Sequence, residues 1–139
     1  MSHKIDLHFD FPFPVARAFA DISDHENLGR ILGAPMRLLK HGTVGGKNGL
    51  GAVRGVGPGL LGLEETIVTF EQDRLIEYKV TKGPGIKNHL GRLVFTETPS
   101  GSHLHYLITF DPSIPGTGGL LQKVLSTSIG KGLRKYAKS

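Results

Sequence analysis

Between Met36 and Asp111 the sequence is a succession of short apolar-alternating runs, 36–44, 51–57, 62–71, 74–82, 88–97 and 102–111, separated by turn residues. The separators are Gly45-Gly46, Pro58-Gly59, Gln72-Asp73, Gly83-Pro84-Gly85 and Pro99-Ser100-Gly101. Connections this short join antiparallel neighbours, because a parallel crossover needs about a dozen residues or more. Six strands in an antiparallel meander are therefore expected. A further strand precedes them over residues 4–11, where Ile5, Leu7, Phe9 and Phe11 alternate with Asp6, His8 and Asp10. Pro12 and Pro14 stop it, and Pro14 suits the first turn of a short helix with Val15, Ala18, Phe19 and Ile22 on one face. Ser23 or Asp24 caps a second short helix running from Asp24 to about Leu32, which Gly33 and Pro35 break.

After Pro112 and the Pro115–Gly119 stretch, Leu121, Val124, Leu125, Ile129, Leu133 and Tyr136 recur three and four apart, the mark of a long amphipathic helix. Gly130 and Gly132 each weaken it by about 1 kcal/mol relative to Ala, so its apolar stripe needs a partner. The sheet is the partner at hand. The expected order is β-α-α-β6-α, an α+β fold: a curved seven-stranded antiparallel sheet wrapped around the C-terminal helix, with a cavity where sheet and helix cannot close on each other. With 139 residues, no internal repeat and no linker, residues 1–139 are expected to form one domain.

Zero cysteines exclude disulfides, thiolate nucleophiles and zinc sites of the cysteine type. The first residues, MSHKIDLHFDF, lack the apolar stretch of a signal peptide, and no run approaches the ~18 apolar residues of a membrane span, so a cytoplasmic protein is expected. The formal net charge of +5 owes much to Lys123, Lys131, Arg134, Lys135 and Lys138 near the C-terminus. They are read as a solvated helix face, with contact to an acidic partner or membrane surface as the alternative. Nucleic acid is not expected as a partner, because no aromatic residues are interleaved with the basic ones as stacking platforms.

The order of elements and several segments resemble the START-like (SRPBCC, Bet v 1-like) helix-grip superfamily, and within it the polyketide cyclase/dehydrase-like family. The segments are Pro14-Val15 with Phe19-Ala20-Asp21-Ile22-Ser23-Asp24, Gly49-Leu50-Gly51-Ala52-Val53-Arg54, and Glu64-Glu65-Thr66-Ile67. Leu75-Ile76-Glu77-Tyr78-Lys79-Val80 with Gly83-Pro84, then Gly91, and Leu104 to Asp111 ending in Pro112, complete them. The resemblance implies a pocket for a hydrophobic small molecule (a lipid, quinone, polyketide or aromatic) and implies no single reaction, since the superfamily contains both carriers and cyclases. A monomer or homodimer is expected, with no cofactor.

Strand register selects the inward-facing residues. A tight turn at Gln72-Asp73 pairs Thr69 with Ile76, Ile67 with Tyr78 and Glu65 with Val80, placing Glu65, Ile67 and Tyr78 on the apolar face. A carboxylate there needs a partner, and Arg54 falls opposite it on the preceding strand. The pair reads as a structural or pocket-floor ion pair, or as a catalytic carboxylate with its counter-ion. A four-residue loop from Thr98 to Gly101 pairs Leu93 with Tyr106, Gly91 with Ile108 and His89 with Phe110. His89 then lies near the open end, as an acid/base for an enolate or as a rim histidine. Tyr78 and Tyr106 combine an apolar body with a polar tip, suited to orienting a carbonyl or hydroxyl or to filling the core. The expected ligand-binding residues are Arg54, Glu65, Ile67, Tyr78, His89, Leu93 and Tyr106, and none is assigned a catalytic role.

The loops Thr81–Asn88 and Gly57–Gly62 are candidates to flank the pocket mouth. His103 and His105 share the solvent-facing side of a strand, but with no neighbouring carboxylate in sequence a metal site is not expected. The glycine stretches 45–49 and 55–59 lack phosphate-loop spacing, and no G-x-S-x-G elbow occurs.

Overall fold

A computed structural model of the chain describes residues 2–57 and 62–139. Strand β1 (His3–Phe11) leads into helices α1 (Val15–Ser23) and α2 (His25–Leu32), followed by β2 (Met36–Lys40), β3 (Val53–Val56), β4 (Leu63–Glu71), β5 (Leu75–Lys82), β6 (Ile86–Thr98), β7 (Gly101–Pro112) and the long helix α3 (Gly118–Tyr136). The strands form one antiparallel sheet in the order β1-β7-β6-β5-β4-β3-β2. The meander runs outward from β7 to β2, and β1 closes the other edge by pairing with β7, His3 opposite Phe110 through Phe11 opposite Ser102. This is the α+β, β-α-α-β6-α architecture expected from the sequence.

Local chemistry explains the elements. Pro14 is the N-cap of α1 rather than its first helical residue, with φ −61° and ψ 154°. The Asp24 side chain caps α2 by accepting from the Asn27 amide at 3.0 Å, and Gly33 ends it in the left-handed region at φ 71°. Alternation holds along β1 and β7: Ile5, Phe9, Phe11, Ser102, Leu104, Tyr106, Ile108 and Phe110 are buried, while Asp6, His8, Asp10 and the odd positions of β7 face outward. Phe19 of α1 meets Phe70 and Phe95 edge-on at 5.3 and 5.1 Å. Tyr136 of α3 does the same to Phe11 and Phe13, and its hydroxyl donates to Asp21 Oδ2 at 2.7 Å, tying the C-terminal helix to α1. Each such buried side chain contributes about 1.5–3 kcal/mol of transfer free energy.

Helix α3 packs chiefly on β1 and α2. Gly132 permits this approach, since a Cβ there would collide with the backbone of Ile31. Leu120 and Val124, in its first half, stay exposed, and Leu121 and Leu125 are half-buried.

Three expectations shift. The strand foreseen over 36–44 ends at Lys40, because residues 42–51 turn back in a glycine-rich loop closed by a Val44–Leu50 bridge, with Gly45, Gly46 and Gly51 at positive φ. The β4–β5 turn has Gln72, Asp73 and Arg74 at its tip, with Asp73 left-handed at φ 61°. A bulge at Val68 moves Thr69 from Ile76 to Glu77 and leaves Ile76 opposite Phe70. Ile67–Tyr78 and Glu65–Val80 pair as expected. The loop foreseen over Thr81–Asn88 shrinks to Gly83-Pro84-Gly85, because β5 and β6 extend into it, and the Gly57–Gly62 loop lies mostly outside the described residues.

Candidate functional site

The inner face of β3, β4 and β5 carries a buried polar cluster assembled by register. Arg54 stands opposite Glu65 and donates through Nε to Oε1 at 2.8 Å, both residues being almost completely buried. Two positions along β4, Ile67 faces Tyr78 on β5, which brings the Tyr78 ring beneath the guanidinium, 4.4 Å from its carbon. Tyr78 in turn stands opposite Gly91 on β6, and the ring lies across that glycine: a Cβ at position 91 would collide with it. The vacancy lets the Tyr78 hydroxyl reach over β6 to hydrogen-bond the Tyr106 hydroxyl on β7. Leu93, paired with Ile76 and Tyr106, supplies the apolar floor beside them.

His89 faces inward, as expected, by a different route. Direct pairing with Phe110 is replaced by a bulge between Lys87 and Leu90 in which Asn88 takes φ 51°. His89 Nδ1 accepts the Val80 amide at 3.1 Å, and its ring centre lies 5.3 Å from that of Tyr78. The seven expected residues are thus all brought to the inner face, each of them buried. One further member escaped the sequence reading. His25, the first residue of α2 and 1% exposed, accepts a hydrogen bond on Nδ1 from Arg54 Nη1 at 3.1 Å. Among the described residues its Nε2 has no partner in hydrogen-bonding geometry, although the Asn48 backbone lies near enough to favour the protonated ring. The spacing of His25, Leu28, Gly29 and Leu32 on one face of α2 was the available signal.

Burial governs the protonation states. It pushes His25 down to about 3, with the Arg54 charge acting in the same direction, and it lowers His89. Burial, then Tyr106, raises Tyr78 well above the usual phenol range, and burial pushes Tyr106 up to about 12. For Arg54 burial is the largest influence and opposes the charge, but Glu65 and the two tyrosines together outweigh it and the guanidinium is held more firmly protonated. At neutral pH the cluster is one internally neutralised ion pair surrounded by two neutral imidazoles and two neutral phenols. Each imidazole uses Nδ1 as acceptor, so each carries its proton on Nε2. These groups can donate hydrogen bonds to an oxygen, but neither imidazole nor either phenol is placed as a free base.

On the opposite face, pairing of β1 with β7 corrects the expectation that His103 and His105 lack a carboxylate neighbour. His8 stands directly opposite His105 and Asp10 opposite His103, while Asp6 lies diagonally across from His105. One ligand atom each from Asp6, His8 and His105 lies within 4.8 Å of the others. Open grooves occur elsewhere. One of about 780 Å³ runs along the seam of α2 and the end of α3, lined in part by Arg30, Ile31, Lys131, Lys135 and Tyr136.

A family profile described as polyketide cyclase / dehydrase and lipid transport matches residues 2–139. The fold is similar to that of Ara h 8.0201 in its crystal structure, with a TM-score of 0.70 at 17% identity, covering 99% of this chain and 98% of that one. It is also similar to a START superfamily protein from Mycobacterium smegmatis, with a TM-score of 0.75 at 12% identity, covering 96% and 92%. An uncharacterized protein from Bacillus thuringiensis is similar over 100% of both chains, with a TM-score of 0.71 at 17% identity. No curated protein matches the chain in sequence. Likeness at these identities shows the helix-grip fold. Among the described residues no helix is long and apolar enough to cross a membrane.

Proposed function

The chain belongs to the polyketide cyclase / dehydrase and lipid transport family, and from that premise we propose that it binds a hydrophobic small molecule carrying a neutral carbonyl or hydroxyl group, held between the inner face of the sheet and α3. The observation that carries this reading is the charge balance of the buried cluster. Arg54 is already neutralised by Glu65, so an anionic head such as a fatty-acid carboxylate would bring an uncompensated charge into a low-dielectric site. A neutral oxygen adds no charge and offers an acceptor to the unpartnered Nε2–H of His25 and to the phenols. The apolar remainder of the ligand, whether lipid, quinone, polyketide or aromatic, would lie against Ile67, Leu93 and the first half of α3, where Leu121 and Leu125 are only half-buried. The cluster is buried, so binding requires that half of α3 to shift outward, and a bound ligand would lie under Leu121 and Leu125.

The same donors would stabilise an enolate oxygen in a cyclase or dehydratase. That chemistry also needs a base, and the imidazoles and phenols of the cluster are all committed as neutral donors, which favours binding over turnover. Titration with 1-decanol and decanoate, equal in chain length and differing in head group, tests the reading. Decanol should bind at least ten-fold more tightly, and Glu65→Gln, which leaves the Arg54 charge uncompensated, should narrow or reverse the preference. Tighter binding of decanoate would refute the proposed head-group chemistry.

A further inference from the structure

On the outer face of the β1–β7 pair, away from the buried cluster, Asp6, His8, Asp10, His103 and His105 form one connected chain of contacts. His105 Nε2 lies 2.7 Å from Asp6 Oδ1, and His8 Nε2 lies 3.3 Å from the same oxygen. His8 Nδ1 is 3.0 Å from His103 Nε2, and His103 Nδ1 is 2.8 Å from Asp10 Oδ1. The His8 and His105 rings stack with centres 4.2 Å apart and planes within 9°. Each of these four contacts needs a proton between its two atoms, whereas three neutral imidazoles supply three. If His103 donates to Asp10 and His8 donates to His103, the Nε2 lone pair of His8 points at the Asp6 carboxylate with nothing between them. One more positive charge at that point, a proton on His8 or a metal ion, would complete the chain.

We propose that this charge is a divalent transition metal of the zinc class, bound by Asp6 Oδ1, His8 Nε2 and His105 Nε2. Ligand atoms about 2.1 Å from a tetrahedral ion lie roughly 3.4 Å apart. The Asp6–His8 separation already meets this; His105 needs to withdraw from Asp6 by less than an ångström and to turn out of its stack with His8, because an ion lies in the plane of each imidazole that binds it. Two imidazoles and a carboxylate select zinc, nickel, cobalt or copper over magnesium or calcium, which prefer all-oxygen shells. His103 and Asp10 complete the arrangement by fixing the tautomer and ring plane of His8, as outer partners of histidine ligands do. The remaining positions around the ion face solvent, since all three ligands are at least partly exposed. The ion would clamp β1 to β7, the strands nearest the two ends of the chain.

The test is Zn²⁺ binding to the untagged full chain at pH 7.5, by calorimetry and by histidine ¹⁵N NMR. Saturable binding of one equivalent is expected, unaffected by excess Mg²⁺, with shifts at His8 and His105 and a melting temperature that rises with Zn²⁺. His8→Gln, His105→Gln and Asp6→Asn should each weaken it at least ten-fold, and His103→Gln should weaken it less. His41→Gln, at an exposed histidine remote in sequence, should leave it unchanged. The absence of saturable binding, or equal affinity in His8→Gln, His105→Gln and wild type, overturns the proposal. All substituted positions are partly exposed, and circular dichroism of each variant checks that it folds.

Discussion

Replacing Arg54 by methionine removes the cation paired with Glu65, whose Oε1 accepts from Arg54 Nε at 2.8 Å with both side chains almost wholly buried. Breaking a buried pair on one side leaves the other charge uncompensated, at a cost of about 3–5 kcal/mol. His25 Nδ1 loses its donor in the same step, which adds about 1 kcal/mol. For a domain of this size each kcal/mol shifts the melting temperature by roughly 3–5 °C, so Arg54→Met should melt about 12–30 °C below wild type. Arg54→Met/Glu65→Leu removes both charges and keeps apolar volume, and replacement of a whole buried pair is often neutral or stabilising. The double variant should therefore be more stable than the single one. Urea unfolding followed by circular dichroism at pH 7 measures all members of the cycle. A single-variant cost below about 1 kcal/mol, or a double-variant cost equal to the sum of the two single ones, would refute the view that the pair is buried and mutually dependent.

Tyr78→Phe leaves the buried Tyr106 hydroxyl without its partner and should cost about 1–3 kcal/mol, whereas Tyr78→Phe/Tyr106→Phe should recover much of that in the same unfolding assay. Gly91→Ala drives a methyl into the Tyr78 ring and should destabilise by at least about 1–3 kcal/mol. Tyr78→Leu in the same chain should relieve most of the loss. His25 takes up its proton near pH 6.5 when unfolded but only near pH 3 when folded, so the unfolded state binds more protons between those values. Its contribution is complete above about pH 6.5 and declines as pH falls toward 3, by up to about 1.4 kcal/mol per pH unit. Stability measured against pH should accordingly fall less steeply in His25→Gln than in wild type over that window, and identical slopes would contradict the burial of His25.

The inner site was legible in the sequence because short turns fix register. Once the β4–β5 turn is placed near Gln72-Asp73, the pairing of Glu65, Ile67 and Tyr78 follows, and Arg54 falls opposite Glu65. The bulge at Val68 displaced only the residues on its turn side, because β4 regains its phase by Ile67. His25 is hidden for a different reason: the caps and breakers of α2 mark where the helix runs, but only its packing on the sheet brings its buried face to Arg54. The outer His/Asp cluster was out of reach because β1 and β7 lie at opposite ends of the chain, with His8 and His103 separated by 95 positions. Alternation places their odd and even residues on faces, but no turn sets which residue of β1 stands beside His105. Residues 41–44 read as the end of a strand and fold instead into the loop that follows it, through backbone angles at Gly45, Gly46 and Gly51 that only glycine adopts readily.

The central claim concerns where an apolar ligand with a neutral oxygen sits, and isotope-filtered NOE measurements on ¹³C-labelled protein with unlabelled 1-decanol locate it directly. The account predicts contacts from the decanol chain to Ile67, Leu93 and Leu121 and from its head-group end to Tyr78 and Tyr106. Contacts confined to Ile31 and Tyr136, in the groove between α2 and α3, would contradict it.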